Sequence, residues 1–400
     1  MAIPPVVALE IGTSKVIALV GEMREDNYVM ITGTGECPSK GVRKGEVVDF
    51  GNVSACVKTA LEMAEESSKV AIRQIYLTVS GGHIQCLSNR GTVPVLSQEE
   101  GISQDDIEQV VQVARAINIP PDRDIVHTIS QHYCVDDQGH VLHPEGMEGA
   151  RLSLDVLVIH GVRTRLNNTI RTVQDIPMDV SDVVFGGVCS AISVLSPEQR
   201  RSGALVIDLG GGTTDFVVYN GNVVTSAGVL GVGGDHITND IAMAFNVSTS
   251  QAERLKKNSG SALAGKANRS QRVSLPPEVG FPGRSVNLSA LHTVINARVE
   301  EMLATILHQL ESEGVLSPIG GGIVLTGGGA HLKDVAELVE QVFGLPCEIG
   351  KPRGITGVAT ATDGPEYATC SGLVQYGFKE YQSNRRGPAL KQFFKGLLGR

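Results

Sequence analysis

Hydrophobic positions follow two patterns along this chain. Apolar runs broken by glycine predict buried strands joined by tight turns. They occupy residues 6–20, interrupted at Gly12-Thr13-Ser14; residues 206–219, interrupted at Gly210-Gly211-Gly212-Thr213; and residues 323–326, closed by Gly327-Gly328-Gly329. Further strands are predicted over 28–35, 74–80 and 180–185, with a turn at 41–45 and a two-residue hairpin turn at Asn220-Gly221. Spacings of three and four predict helices, because such positions share a face. One covers 52–67, with Val53, Val57, Ala60, Leu61 and Ala64 inward, and others cover 165–176, 186–192, 237–245 and 250–257. The longest covers 289–313, with Leu291, Val294, Ile295, Val299, Met302, Leu303, Ile306, Leu307 and Leu310 on its buried side.

Residues 83–161 read as a separate module. Ser103-Gln104-Asp105-Asp106 opens a capped helix whose stripe is Ile107, Val110, Val111 and Ala114, and Pro120-Pro121 stops it. Short strands are expected at 125–129 and 156–159, with a polar loop over 136–149 between them. Residues 197–202 read as a polar turn into a second half, and 261–287 as loops and short strands.

The glycine turns supply the candidate chemistry. Glycine lets the backbone approach a ligand closely, and successive N–H groups in a turn form a concave anion site. Asp208, at the mouth of the second turn, cannot touch a phosphate favourably but can hold a hydrated divalent cation. A plain hairpin would explain the glycines, yet not the flanking acid and threonines. Glu10, Gly12, Thr13, Ser14 and Lys15 repeat the order at the start of the chain, so a duplicated domain is expected. At the third turn, strand, glycines and helix place backbone donors against a nucleotide. Gly233 and Gly234 precede a further helix. Glu253 and Lys256 stand three residues apart on one helix face, either to reach one ligand together or as an exposed ion pair of little worth.

Composition narrows the class. A length of 400 residues allows two to three domains. The net charge of −9 and the absence of tryptophan argue against general nucleic-acid binding. Seven scattered cysteines without a C-x-x-C pair favour free thiols in a reducing compartment. No apolar run is long enough to span a membrane, and no signal peptide is seen. Past Tyr381 the charge turns basic. After a Gly-Pro linker, Leu390, Phe393, Phe394, Leu397 and Leu398 form one stripe, with Lys391 and Lys395 on the other positions. This pattern suits an interfacial helix on anionic lipid, the alternative being a final helix docked on the core.

Together the turns resemble those of actin-like ATPases, an α/β, ribonuclease H-like duplicated fold of two lobes. The inserted module and the amphipathic tail are similar to the bacterial cell-division FtsA family; type IV pilus assembly actin-like proteins carry a similar insert. The resemblance implies lobe I over 1–82 and 162–202, an FtsA-type subdomain over 83–161, and lobe II over 203–362 with a subdomain at about 235–318. A return helix over 363–381, a linker over 382–389 and a membrane helix over 390–400 follow. It implies ATP and Mg2+ between the lobes. Gly12, Thr13, Ser14, Lys15, Gly210, Gly211, Gly212 and Thr213 would face phosphates, and Glu10 and Asp208 would order the metal's waters as the catalytic acids. Gly233, Gly234, Glu253, Lys256, Gly327, Gly328 and Gly329 would hold adenosine. Implied partners are the C-terminal tail of FtsZ, met near Arg298 and Glu301, a filament of the chain itself, other divisome proteins and an anionic membrane surface, with no nucleic acid. The implied place is the cytoplasmic face of the inner membrane at the division site. Glu10 stands where actins usually carry aspartate, so at most slow ATPase activity is expected. A pilus-assembly adaptor and a small-molecule kinase of the superfamily are the alternatives.

Overall fold

Each half of the chain builds the same sheet. The computed structural model describes residues 3–24, 28–96, 101–174, 176, 178–266, 268, 270–316, 319–357 and 363–385. In lobe I, β1 (Val6–Ile11), β2 (Lys15–Met23) and β3 (Val29–Pro38) form an antiparallel meander. A small hairpin, β4 (Val42–Arg43) and β5 (Glu46–Val47), replaces the simple turn expected at 41–45. Next come α1 (Phe50–Ser68) and β6 (Gln74–Val79), which lies parallel to β1. Asp49 starts α1 by accepting a hydrogen bond from the Asn52 amide at 3.1 Å, and the expected apolar face is buried together with Cys56.

The inserted module follows. It comprises β7 (Gln85–Pro94), α2 (Gln104–Arg115), β8 (Arg123–Val135), β9 (Gln138–Val141) and β10 (Arg151–Val162), with sheet order β7-β10-β8-β9. Ser103 caps α2 through a reciprocal pair with Asp106. The helix stops at Arg115, before the prolines expected to end it, and Val111 is only half-buried. Three expectations fail in this module. β8 and β10 run for 13 and 12 residues rather than as short strands, β7 was not foreseen, and β9 occupies part of the expected polar loop. Much of β7, β8 and β9 is partly exposed, so their polar alternation hides a ladder that backbone pairing sustains.

Lobe I resumes with α3 (Arg163–Gln174), β11 (Asp179–Phe185) and α4 (Gly186–Val194). The expected turn at 197–202 is a short helix, α5 (Pro197–Ser202), opened by a capping box between Ser196 and Gln199. Lobe II opens with the meander β12 (Ala204–Leu209), β13 (Thr214–Asn220) and β14 (Val223–Leu230). Its hairpin turn is Gly221-Asn222, one residue later than expected, with φ of 56° and 71°. Helices α6 (Gly234–Phe245) and α7 (Thr249–Ser259), hairpin β15 (Arg272–Leu275) and β16 (Arg284–Asn287), and α8 (Leu288–Glu313) cover this sheet. On α8, Val294 and Leu307 are half-buried while His292 is buried, its Nε2 2.9 Å from the Ser259 carbonyl oxygen. Strand β17 (Ile323–Thr326), α9 (Val335–Phe343) and β18 (Cys347–Ile349) complete the lobe. The chain then crosses back: β19 (Ile355–Gly357) pairs with β3, and α10 (Ala368–Arg385) packs on α4. Because α10 continues to Arg385, it takes up the beginning of the expected linker. The proposed membrane helix, with Leu390, Lys391, Phe393, Phe394, Lys395, Leu397 and Leu398, lies outside the described residues.

The duplication is visible in strand order. Lobe I runs β3-β2-β1-β6-β11 and lobe II β14-β13-β12-β17-β18, with β1/β6 and β12/β17 parallel in each. Between the sheets, α4 and α10 share one core with Val6, Ile17, Val206 and Val217. The two helices meet at Gly372, where an added Cβ would lie 1.8 Å from the Cys189 carbonyl oxygen. That contact brings the carboxyl ends of β1 and β12 to a common cleft.

His83 sits where the module leaves lobe I. Its Nδ1 accepts the Val162 amide at 3.3 Å, which requires a free lone pair. Burial, then the charges of Arg165 and Arg123, push this imidazole from 6.5 to about 4. The unfolded chain therefore takes up the proton first, so this contribution is complete above 6.5 and is lost as pH falls towards 4. Chemical denaturation between those pH values should cost the wild type about 2 kcal/mol more than His83→Gln; parallel curves would refute the assignment.

Candidate functional site

The two hairpin turns are built alike. In the first, the Gly12 amide donates to the Lys15 carbonyl at 3.0 Å; in the second, the Gly210 amide donates to the Thr213 carbonyl at 2.9 Å. An acid stands two residues before each first glycine, Glu10 on β1 and Asp208 on β12. The ladder then separates the copies. Glu10 pairs with Ile17 across its hairpin, whereas Asp208 pairs with Asp215, so lobe II contributes a second carboxylate.

The turns face one another across a cavity of about 140 Å³ that Glu10, Gly12, Thr13, Ser14, Lys15, Gly210, Gly211, Gly212 and Thr213 help to line. An added Cβ on Gly212 would lie 2.4 Å from Thr13 Oγ1, so only glycine permits this approach. Thr13 Oγ1 also accepts the Gly45 amide at 3.0 Å, bringing the β4–β5 hairpin to the rim. Gly327, at φ 83°, is held against Asp208: an added Cβ would lie 2.2 Å from the Asp208 Oδ1.

Four carboxylates line this cavity, and three of them, Glu10, Asp208 and Asp215, form its buried floor. Asp208 Oδ2 accepts from Ser190 Oγ and from Thr369 Oγ1, the latter at 2.8 Å, and Asp215 Oδ1 accepts from Ser80 Oγ at 2.6 Å. Glu10 Oε2 is buried without a hydrogen-bond partner. Burial first, and then the Asp208 charge, raise Glu10 and Asp215 to about 8 each. Burial also raises Asp208, against the two hydroxyl hydrogen bonds that favour its ionised form. A protonated carboxyl with an orphaned oxygen is what a hydrated divalent cation relieves, so the donor set fits a hard, oxygen-seeking metal.

A second cavity of about 640 Å³ adjoins the first and shares Ser14, Lys15, Gly210, Gly211, Gly328 and Glu366 with it. Gly234, Glu253, Lys256 and Gly329 line it. Glu253 and Lys256 are 2.6 Å apart, and Lys256 Nζ also donates to the Gly234 carbonyl at 2.9 Å and to Thr238 Oγ1 at 2.7 Å. The pair is thus fixed to the start of α6 rather than loose in solvent. Lys15 Nζ lies 3.0 Å from Glu36 and 4.0 Å from the centre of the Tyr367 ring, which steers it along the rim.

Gly233 lines neither cavity. It caps α6, and an added Cβ would meet the carbonyl oxygens of Gly210 and Gly211 at 2.7 Å each, so it positions the second turn. Arg298 and Glu301 lie apart from the cleft on α8. Arg298 is not the free exposed charge expected; it is half-buried and bonded to Asp240 on α6, as well as to Glu301 at 2.6 Å. Sequence reasoning passed over Asp215, Ser80, Ser190 and Thr369. Asp215 carried a signal, since an acid inside an apolar strand requires a partner. The hydroxyls carried none.

A family model described as Cell division protein FtsA matches residues 205–372, and one described as SHS2 domain inserted in FTSA matches residues 81–160. Cell division protein FtsA of Escherichia coli (strain K12) is 37% identical over 379 residues, spanning 93% of this chain and 90% of its own. The Pseudomonas aeruginosa protein of the same description is 33% identical over 375 residues, spanning 94% and 89%. Among solved structures, a chain of the PilM-PilN type IV pilus biogenesis complex superposes with a TM-score of 0.64 at 17% identity, covering 93% of this chain and 98% of that one. MreB5 of Spiroplasma citri bound to ADP gives a TM-score of 0.55 at 14% identity, covering 96% and 99%. At such identities the structural likeness speaks for the fold alone, which is actin-like. With the duplicated lobes, the inserted module and sequence identity along nearly its full length, the chain belongs to the FtsA family of cell division proteins.

Proposed function

We propose that the cleft binds ATP with Mg2+, and that the bound chain polymerises on the cytoplasmic membrane and anchors FtsZ there at the septum. The observation that carries the nucleotide reading is the pair of matched turns, one from each lobe, facing across buried carboxylates. Backbone amides of Thr13, Gly211, Gly212 and Thr213 supply donors for phosphate oxygens from both sides, while the Gly12 amide, donated to the Lys15 carbonyl, shapes the first turn. Glu10 and Asp208, with Asp215 beside them, would hold the cation through its waters. The magnesium ion would supply positive charge against the phosphates. Gly328, Gly329, Glu253 and Lys256 border the space for adenosine, and one neighbour in fold, MreB5, is bound to ADP. A ligand gripped by both turns favours a closed arrangement of the lobes. Closed subunits would then present matched faces for head-to-tail assembly.

Turnover is expected to be slow. Glu10 carries one methylene more than aspartate, and phosphoryl transfer depends on positioning. Ser190 is engaged with Asp208 and is no base for water. The family supports the division role, and the basic, amphipathic stretch 390–400 supports the membrane. Each tail is short, so firm attachment would need many tails side by side. Of the two α8 residues assigned to FtsZ, Glu301 is the more exposed, while Arg298 holds it in place.

Calorimetry with ATP and Mg2+ should show saturable binding. Asp208→Ala should weaken it at least about tenfold through the lost charge-assisted contact, and Gly212→Val should do so by wedging the turns apart while far-ultraviolet dichroism stays native. Absence of heat with the wild type would overturn the nucleotide reading. Separately, the full chain should pellet with anionic liposomes at low salt and lose most of that binding in high salt or without residues 388–400. Pelleting indifferent to the truncation would exclude the tail as the anchor.

A further inference from the structure

Away from the nucleotide cleft, a second opening lies where the inserted module faces the rest of the molecule. It is a cavity of about 390 Å³, bordered by α2 and β8 of the module, α5, the β13–β14 hairpin and α10. Three cations from three distant segments line it: Arg115 at the end of α2, Arg200 on α5 and Lys379 on α10. Against them stands Glu145, the one carboxylate among the described lining residues, and it is exposed. In a chain with 43 acids and 34 lysines and arginines, this grouping runs against the overall balance.

Among the described residues these cations are not neutralised by an acid: none of the three stands in a salt bridge. Arg200 Nη2 donates to the Ile192 and Leu195 carbonyls at 2.7 and 3.2 Å, which closes α4, yet its Nε is buried without a partner. Arg115 Nε is likewise buried and unpartnered. Burial, and then the Arg200 charge, push the Lys379 ammonium down to about 8. Three cations grouped with only the exposed Glu145 against them, one of them a lysine whose charge burial disfavours, carry a cost that a bound anion would lessen. The remaining wall is mixed, with apolar Val111, Ile192 and Val223 beside Ser130, Gln131 and Asn222.

We propose that this cavity is a binding site for a small amphipathic anion, one carboxylate or phosphate group on an apolar body, held by Arg115, Arg200 and Lys379. The volume matches the lower range of small-molecule sites, and planar guanidinium groups suit either anion. Since the cations come from the module and from both flanks of α4, an occupant ties the module to the lobes. The site is independent of the nucleotide cleft and of the assignment made there.

The test is calorimetric titration of the full chain with hexyl phosphate and with hexanoate, using hexanol and inorganic phosphate as controls. At least one of the alkyl anions should bind, and the preferred one identifies the head group. Hexanol and inorganic phosphate should each bind at least about tenfold more weakly, since one lacks the charge and the other the apolar body. Arg115→Gln and Lys379→Met should each weaken the anion about tenfold, whereas Lys379→Arg should retain it. Glu145→Gln, at an exposed position tolerant of change, should tighten binding and keeps the test decisive if the other variants fold poorly. Failure of both alkyl anions to bind at millimolar concentration, equal binding of hexanol, or affinities unmoved by Arg115→Gln, Lys379→Met and Glu145→Gln would overturn the proposal.

Discussion

Burying Glu10, Asp208 and Asp215 together at the ends of two apolar hairpins is the constraint on which the rest of the cleft depends. Carboxylates in such a place cannot all ionise without compensation. The fold answers in part, with Ser190 and Thr369 on Asp208 and Ser80 on Asp215. Glu10 is left with an orphaned oxygen. The lobes therefore meet over an electrostatic deficit, which is the setting in which a hydrated cation and its anionic partner would be taken up from solution.

The cost of this arrangement is carried by α4 and α10. Both are packed into the core that joins the lobes, and each delivers a hydroxyl to Asp208, Ser190 from one and Thr369 from the other. Their contact at Gly372 leaves no room for a side chain. The glycine turns have the same character. Gly212 against Thr13 and Gly327 against Asp208 are approaches that any larger residue would block.

The inserted module is packed in two ways. It has its own core around Ile107, Val110, Leu152 and Leu154, while Ile84, Ile129, Leu157 and Ile159 join it to the core shared by the lobes. The module is thus packed onto the lobes as well as within itself, and its α2 and β8 form one wall of the cation-lined cavity.

Much of this was written locally. Strand runs, glycine turns, the acids before them and the faces of α1 and α8 follow from side-chain period and turn chemistry, both set by near neighbours. So does the duplication, since it repeats the same local order. Other features needed the tertiary structure. β7 and β9 are polar strands that exist because β10 and β8 offer them a backbone ladder. The convergence of Ser80, Ser190 and Thr369 on the acids, the capture of Arg298 by Asp240, and the meeting of Arg115, Arg200 and Lys379 join residues far apart in the chain. No periodicity encodes such meetings, because they are decided by how whole elements pack after each has formed.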